Sequence, residues 1–292
     1  MTLAIVVTLV ILFTPVLLFI VNGLLLASGE TPISGVTSHP SEDQKSEEVT
    51  VLAYNIAKCF AHHGGLKFAD EEEVRNRLKR MAEVINREKP DLIFLSETIF
   101  DCDACPVNQV KELAELTGMH SWVFGENYNF GLPFYRVVGG NAILSKWSLE
   151  AVANPSLAGR KPFWVTHNNR RVVWAATHIN GERILLAALH TDSFNKNNNP
   201  RQTQQILDFA GDQPAILAGD FNARPDWESL NLVKSSNRFV GAIEGEQTFP
   251  AKHPDRRIDY IFAPRGWELI EAKVLDDVIS DHRPVVSRFR IR

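Results

Sequence analysis

The sequence predicts an α/β fold of two packed sheets, preceded by one membrane-crossing helix. Short apolar segments of strand character recur along the chain, amphipathic stretches of helical spacing interrupt them, and a long uncharged run opens it. Many strands with helices set between them suit a two-sheet sandwich better than a doubly wound parallel sheet, although periodicity alone leaves the strand order open. With 292 residues, 45% hydrophobic and 23% charged, the composition is that of a globular protein able to bury a sizeable core. Collagen-like, disordered and disulfide-scaffold classes are thereby excluded.

The first element is the apolar run at residues 3–27, which contains no charged residue. As a helix it would be about 37 Å long, more than the roughly 30 Å of hydrocarbon in a bilayer. A single-pass anchor over residues 1–29 is therefore expected. A signal peptide is the rival, because Ala27-Ser28-Gly29 is a small-x-small site. The run is longer than the usual signal core and no basic residue precedes it, which favours the anchor. Orientation stays open, since the nearest basic residue is Lys45. A cleaved N-terminus would instead make the protein secreted.

Residues 30–47 are rich in Ser, Thr, Pro and Glu without apolar period, and read as a linker. One catalytic domain is expected over residues 48–292, with the preceding segments adding nothing to its fold. Strands are predicted at 49–56, 91–97, 141–145, 171–179, 183–190, 214–219, 259–263 and 284–291. Helices are predicted at 71–88, where Val74, Leu78, Met81, Val84 and Ile85 share a face, and at 107–116 and 200–210. Asn180-Gly181 reads as a hairpin turn.

Net charge is −4, all of it after Gly29. A protein held to a polyanion by bulk attraction would be basic, so an anionic substrate must be met by a bound cation or a small basic patch. The polar residues that end the apolar strands supply candidates. They are Asn55, Glu97, His190, Asp220 and Asn222 in GDFN, Asp259 in RRIDYIF, and Asp281 and His282 in SDHRPV. Each alone is an ordinary turn former or a satisfied buried histidine. Their recurrence at strand ends is the signal, because so many polar groups there need partners, which a metal and a phosphate would provide.

The ordered segments LAYNI, LSE, LHTD, GDFNARP, RRIDYIF and SDHRPV resemble the endonuclease/exonuclease/phosphatase superfamily over about residues 50–292. That resemblance implies a four-layer α/β/β/α sandwich with the active site at one end of the sheets. It implies that Glu97 is the principal metal ligand, assisted by Asn55, with Asp281 a second acidic position that sits near the metal or orients water. Such sparse ligation suits Mg²⁺, with Mn²⁺ an alternative. Asp220 would deprotonate the attacking water, Asn222 would bond a phosphoryl oxygen or the nucleophile, and His282 would contact the scissile phosphate. Asp259 would clamp that histidine, and His190 and, more weakly, Asn141 would touch substrate. A histidine clamped by Asp259 should stay protonated, which makes Asp220 the preferred base.

The expected reaction is metal-dependent phosphodiester hydrolysis, with nucleic acid slightly preferred as substrate. A phospholipid headgroup or phosphoinositide at the membrane is the alternative, and a catalytically silent binding module is a third reading. The membrane is an expected partner through the N-terminal helix, and no obligate protein partner is evident. Leu132-Pro133-Phe134-Tyr135 and Lys161-Pro162-Phe163-Trp164 are the segments that could dip into lipid. Cys102 and Cys105 form a CxxC without zinc-ribbon or thioredoxin context, so a local disulfide or two thiols without a role is expected. His62-His63-Gly64-Gly65 reads as a surface loop, and Asn168-Asn169-Arg170-Arg171 as a polar turn that could equally meet phosphate.

Overall fold

The computed structural model describes residues 2–37, 46–62, 67–193 and 195–292. Two sheets form its centre. The first has seven strands: β1 (Ile33–Val36), β2 (Glu48–Asn55), β3 (Leu92–Cys102), β4 (Ser121–Leu132), β5 (Tyr135–Ser145), β12 (Glu268–Val274) and β13 (Val285–Arg290), in the order β1-β4-β5-β3-β2-β13-β12. The second has six: β6 (Glu150–Ala153), β7 (Val173–Ile179), β8 (Glu182–His190), β9 (Ala215–Asp220), β10 (Phe239–Val240) and β11 (Asp259–Pro264), in the order β10-β11-β9-β8-β7-β6.

Side-chain alternation along the strands builds three apolar layers. Val49, Val51 and Ala53 of β2 point inward and meet Ala175, Leu186, Ile216 and Ile261 of the other sheet. Leu52 and Tyr54 point outward, beneath Val74, Leu78 and Met81 of α2 (Glu71–Glu88) and Val110 and Leu113 of α3 (Gln109–Leu116). On the far side Trp174, Leu185 and Leu217 are covered by Ile206 and Leu207 of α4 (Asn198–Ala210) and Leu230 and Val233 of α5 (Glu228–Ser236). The result is the expected α/β/β/α sandwich. Among the described residues each sheet holds one parallel pair joined by a helix, β2–β3 through α2 and β8–β9 through α4.

Asn180 and Gly181 both take positive φ and turn β7 into β8, as their sequence implies. Strand β4, helix α5 and strand β12 are found where no element was expected. In β4 the apolar alternation stops at Gly125-Glu126-Asn127, where a register shift against β5 lies. Cys59, Cys102 and Cys105 are free and buried. Burial raises the Cys102 and Cys105 thiols, so the CxxC is a pair of protonated thiols, one ending β3 and one in the turn after it.

The N-terminal region departs from expectation. Helix α1 (Thr2–Val21) runs into a π turn (Asn22–Leu26), and the stretch Ala4–Leu26 is long and apolar enough to cross a membrane. Its final turns are fastened to the body. The Asn22 amide donates to Asn129 Oδ1 at 2.9 Å, and Ser28 donates through its N–H and hydroxyl to Glu126 at 3.1 and 2.9 Å. Ile33–Val36, read as linker, pairs antiparallel with residues 121–124 of β4. A short polar segment reads as linker from composition, yet the open edge of β4 offers it a ladder.

Candidate active site

Strand register assembles the site. In the second sheet His190 lies opposite Asp220 across the parallel β8–β9 pair, and Asp259 lies opposite Asp220 across β9–β11. Three strand ends thus deliver three polar side chains in one row. In the first sheet Asn55 ends β2 beside Ser96 of β3. Glu97 follows in a register shift with φ 54°, and such a break re-aims a side chain away from the ordinary pleat. His282 enters from the segment before β13, whose strand pairs with β2. The two sheets therefore contribute half the cluster each.

The contacts are short and buried. Asn55 Nδ2 donates to Asp220 Oδ2 at 3.2 Å and lies 3.4 Å from His282 Nε2. His282 Nδ1 lies 2.9 Å from Asp259 Oδ2, which also accepts from the Thr248 hydroxyl at 2.6 Å. His282 Nε2 stands 3.7 Å from Asp220 Oδ2. Burial opposes a charge on His282, but the Asp259 and Asp220 carboxylates outweigh it and raise the ring to about 10. His282 is a cation at neutral pH.

His190 is the opposite case. Its Nε2 is 3.3 Å from Asp220 Oδ2, and its Nδ1 is 3.1 Å from Arg170 Nη1. An arginine only donates, so Nδ1 accepts and the proton sits on Nε2, facing Asp220. Burial, then the neighbouring Arg170 charge, holds this ring well below the ordinary histidine value. Asp220 thus receives one neutral and one cationic histidine on the same oxygen. Burial and the Asp259 carboxylate raise Asp220 to about 7.

Glu97 is engaged by the Lys58 ammonium and lies 3.8 Å from His190 Nδ1. Burial would raise its carboxyl, yet the His190 ring, Lys58 and Arg170 together hold it well below the usual carboxylate range. With His190 neutral, Lys58 and Arg170 are the charges that matter. Lys58 reaches Glu97 from a turn in which Ala57, Lys58, Cys59 and Phe60 all have φ between 47° and 58°. Four consecutive left-handed residues that are not glycine are costly and are found where function over-determines the backbone.

Asn222, with φ 45°, gives its backbone N–H to Asp220 Oδ1 at 2.8 Å and its side-chain amide to the Thr191 carbonyl at 3.1 Å. Asp281 lines the same cleft and accepts from the Ser280 hydroxyl at 3.2 Å. Asn141 is not brought to this cluster: it is buried and donates to the Arg171 carbonyl at 3.3 Å. Arg170, left by sequence as an equal choice between surface turn and phosphate contact, is in the cleft beside His190. His62 also lines the cleft instead of a plain surface loop, whereas His63, Gly64 and Gly65 lie outside the described residues.

Residues 52–282 match the model of the Endonuclease/Exonuclease/phosphatase family. The chain belongs to that family. The family is generally divalent-metal dependent, and ligand atoms of Asp220, Asp259 and His282 all lie within 4.8 Å of one another. A UPF0294 protein of Vibrio cholerae is 29% identical over 125 residues, covering 38% of this chain and 41% of that protein. The match therefore spans less than half the length of that curated relative. A 5'-tyrosyl-DNA phosphodiesterase of Caenorhabditis elegans is 30% identical over 90 residues, 31% of this chain and 22% of that enzyme. The solved mannosyl-6-phosphatase Bt3783 of Bacteroides thetaiotaomicron superposes with a TM-score of 0.60 at 18% identity, covering 82% of this chain and 99% of that one. At that identity the likeness establishes the fold.

Proposed function

We propose that the protein is a divalent-metal-dependent phosphoester hydrolase in which Asp220 takes the proton of the attacking water. The observation that carries this is the buried Asp220 carboxylate, poised near neutrality between cationic His282 and neutral His190. A base works best when its pKa is close to the operating pH, and a fixed cation beside it serves the charge that grows on a phosphoryl oxygen. Such a polarised cluster has no use in a silent binding module.

Glu97 suits a hard cation, since its ionised carboxylate already draws the Lys58 ammonium at the cleft wall. Glu97 and Asn55 would hold Mg²⁺ or Mn²⁺, with Asp281 close to the same wall; two such ligands plus substrate phosphate are enough for Mg²⁺. The ion, when bound, neutralises phosphoryl charge. The Asp220–Asp259–His282 group is read differently. Its atoms are close, but His282 and Thr248 both spend their protons on Asp259, so it handles protons instead of caging an ion.

The protein's own groups then act in order. Asp220 accepts a proton as the water oxygen bonds to phosphorus. His282 and Arg170 take the charge on the phosphoryl oxygens, and Asn222 aligns water or phosphate with its remaining amide N–H. His190, its nitrogens committed to Arg170 and Asp220, orients the base. The phosphorus–oxygen ester bond breaks, and the leaving oxygen is protonated from solvent at the Asp281 side. Asn141 holds the Arg170–Arg171 segment in place. We also read α1 as a retained single-pass anchor, because Asn22 and Ser28, which follow it, are bonded to Asn129 and Glu126.

The test uses the full chain in detergent with bis(p-nitrophenyl) phosphate, a soluble diester. Hydrolysis should require Mg²⁺ or Mn²⁺ and stop in EDTA. Undiminished hydrolysis in excess EDTA would refute the metal, and no hydrolysis with either ion would refute the reaction.

A further inference from the structure

The catalytic groups recognise a phosphoryl group and nothing beyond it, so the remainder of the substrate is read by the walls of the cleft. That cleft, about 1220 Å³, is two-sided. One side carries Glu97, Asp220 and His282, and the other is apolar, formed by Phe130, Leu132 and Tyr135 of the β4–β5 hairpin together with Phe19 of α1. The N-terminal helix is thus part of the cleft wall.

Its docking is specific. The Phe19 ring centroid lies 5.3 Å from that of Phe130 and 5.3 Å from that of Phe163. Gly23 sits so close to Phe163 that an added Cβ would fall 1.9 Å from the ring. Asn22, fully buried, bonds to Asn129 on β4, four residues before the hairpin tip at Pro133-Phe134. A Cβ at position 23 would clash with the ring and a buried amide pair closes the joint, so it is more than apolar sticking.

Length then sets depth. The 23 residues of the uncharged stretch Ala4–Leu26 span about 34 Å, against roughly 30 Å of hydrocarbon. Phe19 stands about 22 Å along that run from Ala4, inside the span. Whatever touches Phe19 is therefore at the level of the acyl chains or the headgroups. Four aromatic side chains of this rim are bare: Phe130 is 41% exposed, Phe134 67%, Tyr135 49% and Trp164 57%. Tyrosine and tryptophan of this kind sit at the boundary between lipid and water. The exposed faces of α1, from Ile5 to Leu17, and of the π turn, at Leu24 to Leu26, need the same apolar cover.

We propose that the bilayer holding α1 covers this aromatic rim and that the substrate is a phosphate ester borne by a membrane lipid, its headgroup entering the cleft between Phe19 and the β4–β5 hairpin. This rests on the hydrolase reading above and adds the class of molecule that bears the phosphate. Arg136, paired with Asp101 beside the rim, and Arg224 line the cleft where an anionic headgroup would pass.

The full chain reconstituted in vesicles of phosphatidylcholine, phosphatidylglycerol and a phosphatidylinositol phosphate provides the test. An environment-sensitive dye is attached at Phe134→Cys, and in a second preparation at Asp212→Cys, beyond the end of β9 opposite to Asp220; the native cysteines are buried. The dye at 134 should be blue-shifted and shielded from iodide, and the dye at 212 should not. The double variant Phe134→Ser, Trp164→Ser should lose about tenfold or more of its rate on vesicle-borne lipid through lost effective concentration, and stay within about twofold on the soluble diester. If the soluble diester is cleaved but the dye at 134 is quenched as fully as that at 212, this inference falls and the hydrolase reading stands. If the dye is shielded but nothing is cleaved, the hydrolase reading falls and the docked rim stands. Faster cleavage of an oligonucleotide than of vesicle lipid would overturn the lipid in favour of nucleic acid.

Discussion

Asp220→Asn should make the fold more stable and the enzyme nearly inert. Burial first, then the Asp259 carboxylate, raise the Asp220 carboxyl from 3.8 to about 7, against the pull of the His282 cation. That gap corresponds to roughly 4 kcal/mol, at about 1.4 kcal/mol per pH unit. The sign follows from which state holds the proton. Between about pH 4 and pH 7 the folded chain keeps a proton that the unfolded chain has lost, so stability falls as pH rises through this window. Above it the full penalty persists, and below it the group contributes nothing. Asparagine cannot ionise and escapes the penalty. Thermal unfolding in EDTA should give similar midpoints for variant and wild type near pH 4, and a variant more stable by a few kcal/mol at pH 8. In the presence of metal, turnover should fall by at least about a hundredfold, as for removal of a general base. A variant no more stable at pH 8 than wild type would refute the buried-charge argument, and a folded variant with normal turnover would refute the base.

Other perturbations separate the remaining roles. His282→Ala should lower turnover by about a hundredfold or more with the circular dichroism spectrum unchanged, which single-turnover rates would check. Glu97→Gln should shift the metal titration to higher concentration, and a curve that overlays wild type would remove Glu97 from the metal site. Arg170→Gln should raise KM for the soluble diester and, by releasing His190 Nδ1, lower kcat as well; a change in neither would return Arg170 to a structural role. Gly219→Ala should destabilise the domain by roughly 1–3 kcal/mol or more, because Gly219 has φ +136° and an added Cβ would lie 2.2 Å from the Leu189 carbonyl oxygen. An unchanged melting temperature would contradict that geometry.

The site was legible in the sequence to the extent that strands announce their ends. Asn55, His190 and Asp220 each follow a continuous apolar run and end a strand, and Asp259 opens one, whereas Glu97, expected at the end of its strand, sits midway along β3 at a register shift. Arg170 was not separable from a surface turn because its segment has no period, and its place depends on the pairing of β7 with β8, which brings the segment before β7 against His190. Asn141 sits on a true strand, but its side chain bonds the Arg171 carbonyl, a long-range contact that no local pattern encodes. The same holds for residues 33–36, Ile-Ser-Gly-Val, too short a segment inside a polar stretch to give a strand signal until β4 presents an open edge. Apolar character alone marked α1 as a membrane span, but only the pairing of Asn22 with Asn129 and the fit of Gly23 to Phe163 reveal it as part of the cleft.

The halving of the cluster between two sheets has a consequence for how the chain acquires activity. Asn55, Glu97 and His282 belong to one sheet and His190, Asp220 and Asp259 to the other, and the seam is stitched by Asn55 to Asp220 and by the Ser96 hydroxyl to the Leu189 carbonyl at 3.0 Å. Neither sheet alone holds a base and its cation. Catalytic competence is therefore a property of docked sheets, and appears only when the inner layer around Phe94 and Ile216 has closed. During refolding, far-ultraviolet signal should recover before turnover does, so that the enzyme reports on its own final packing step.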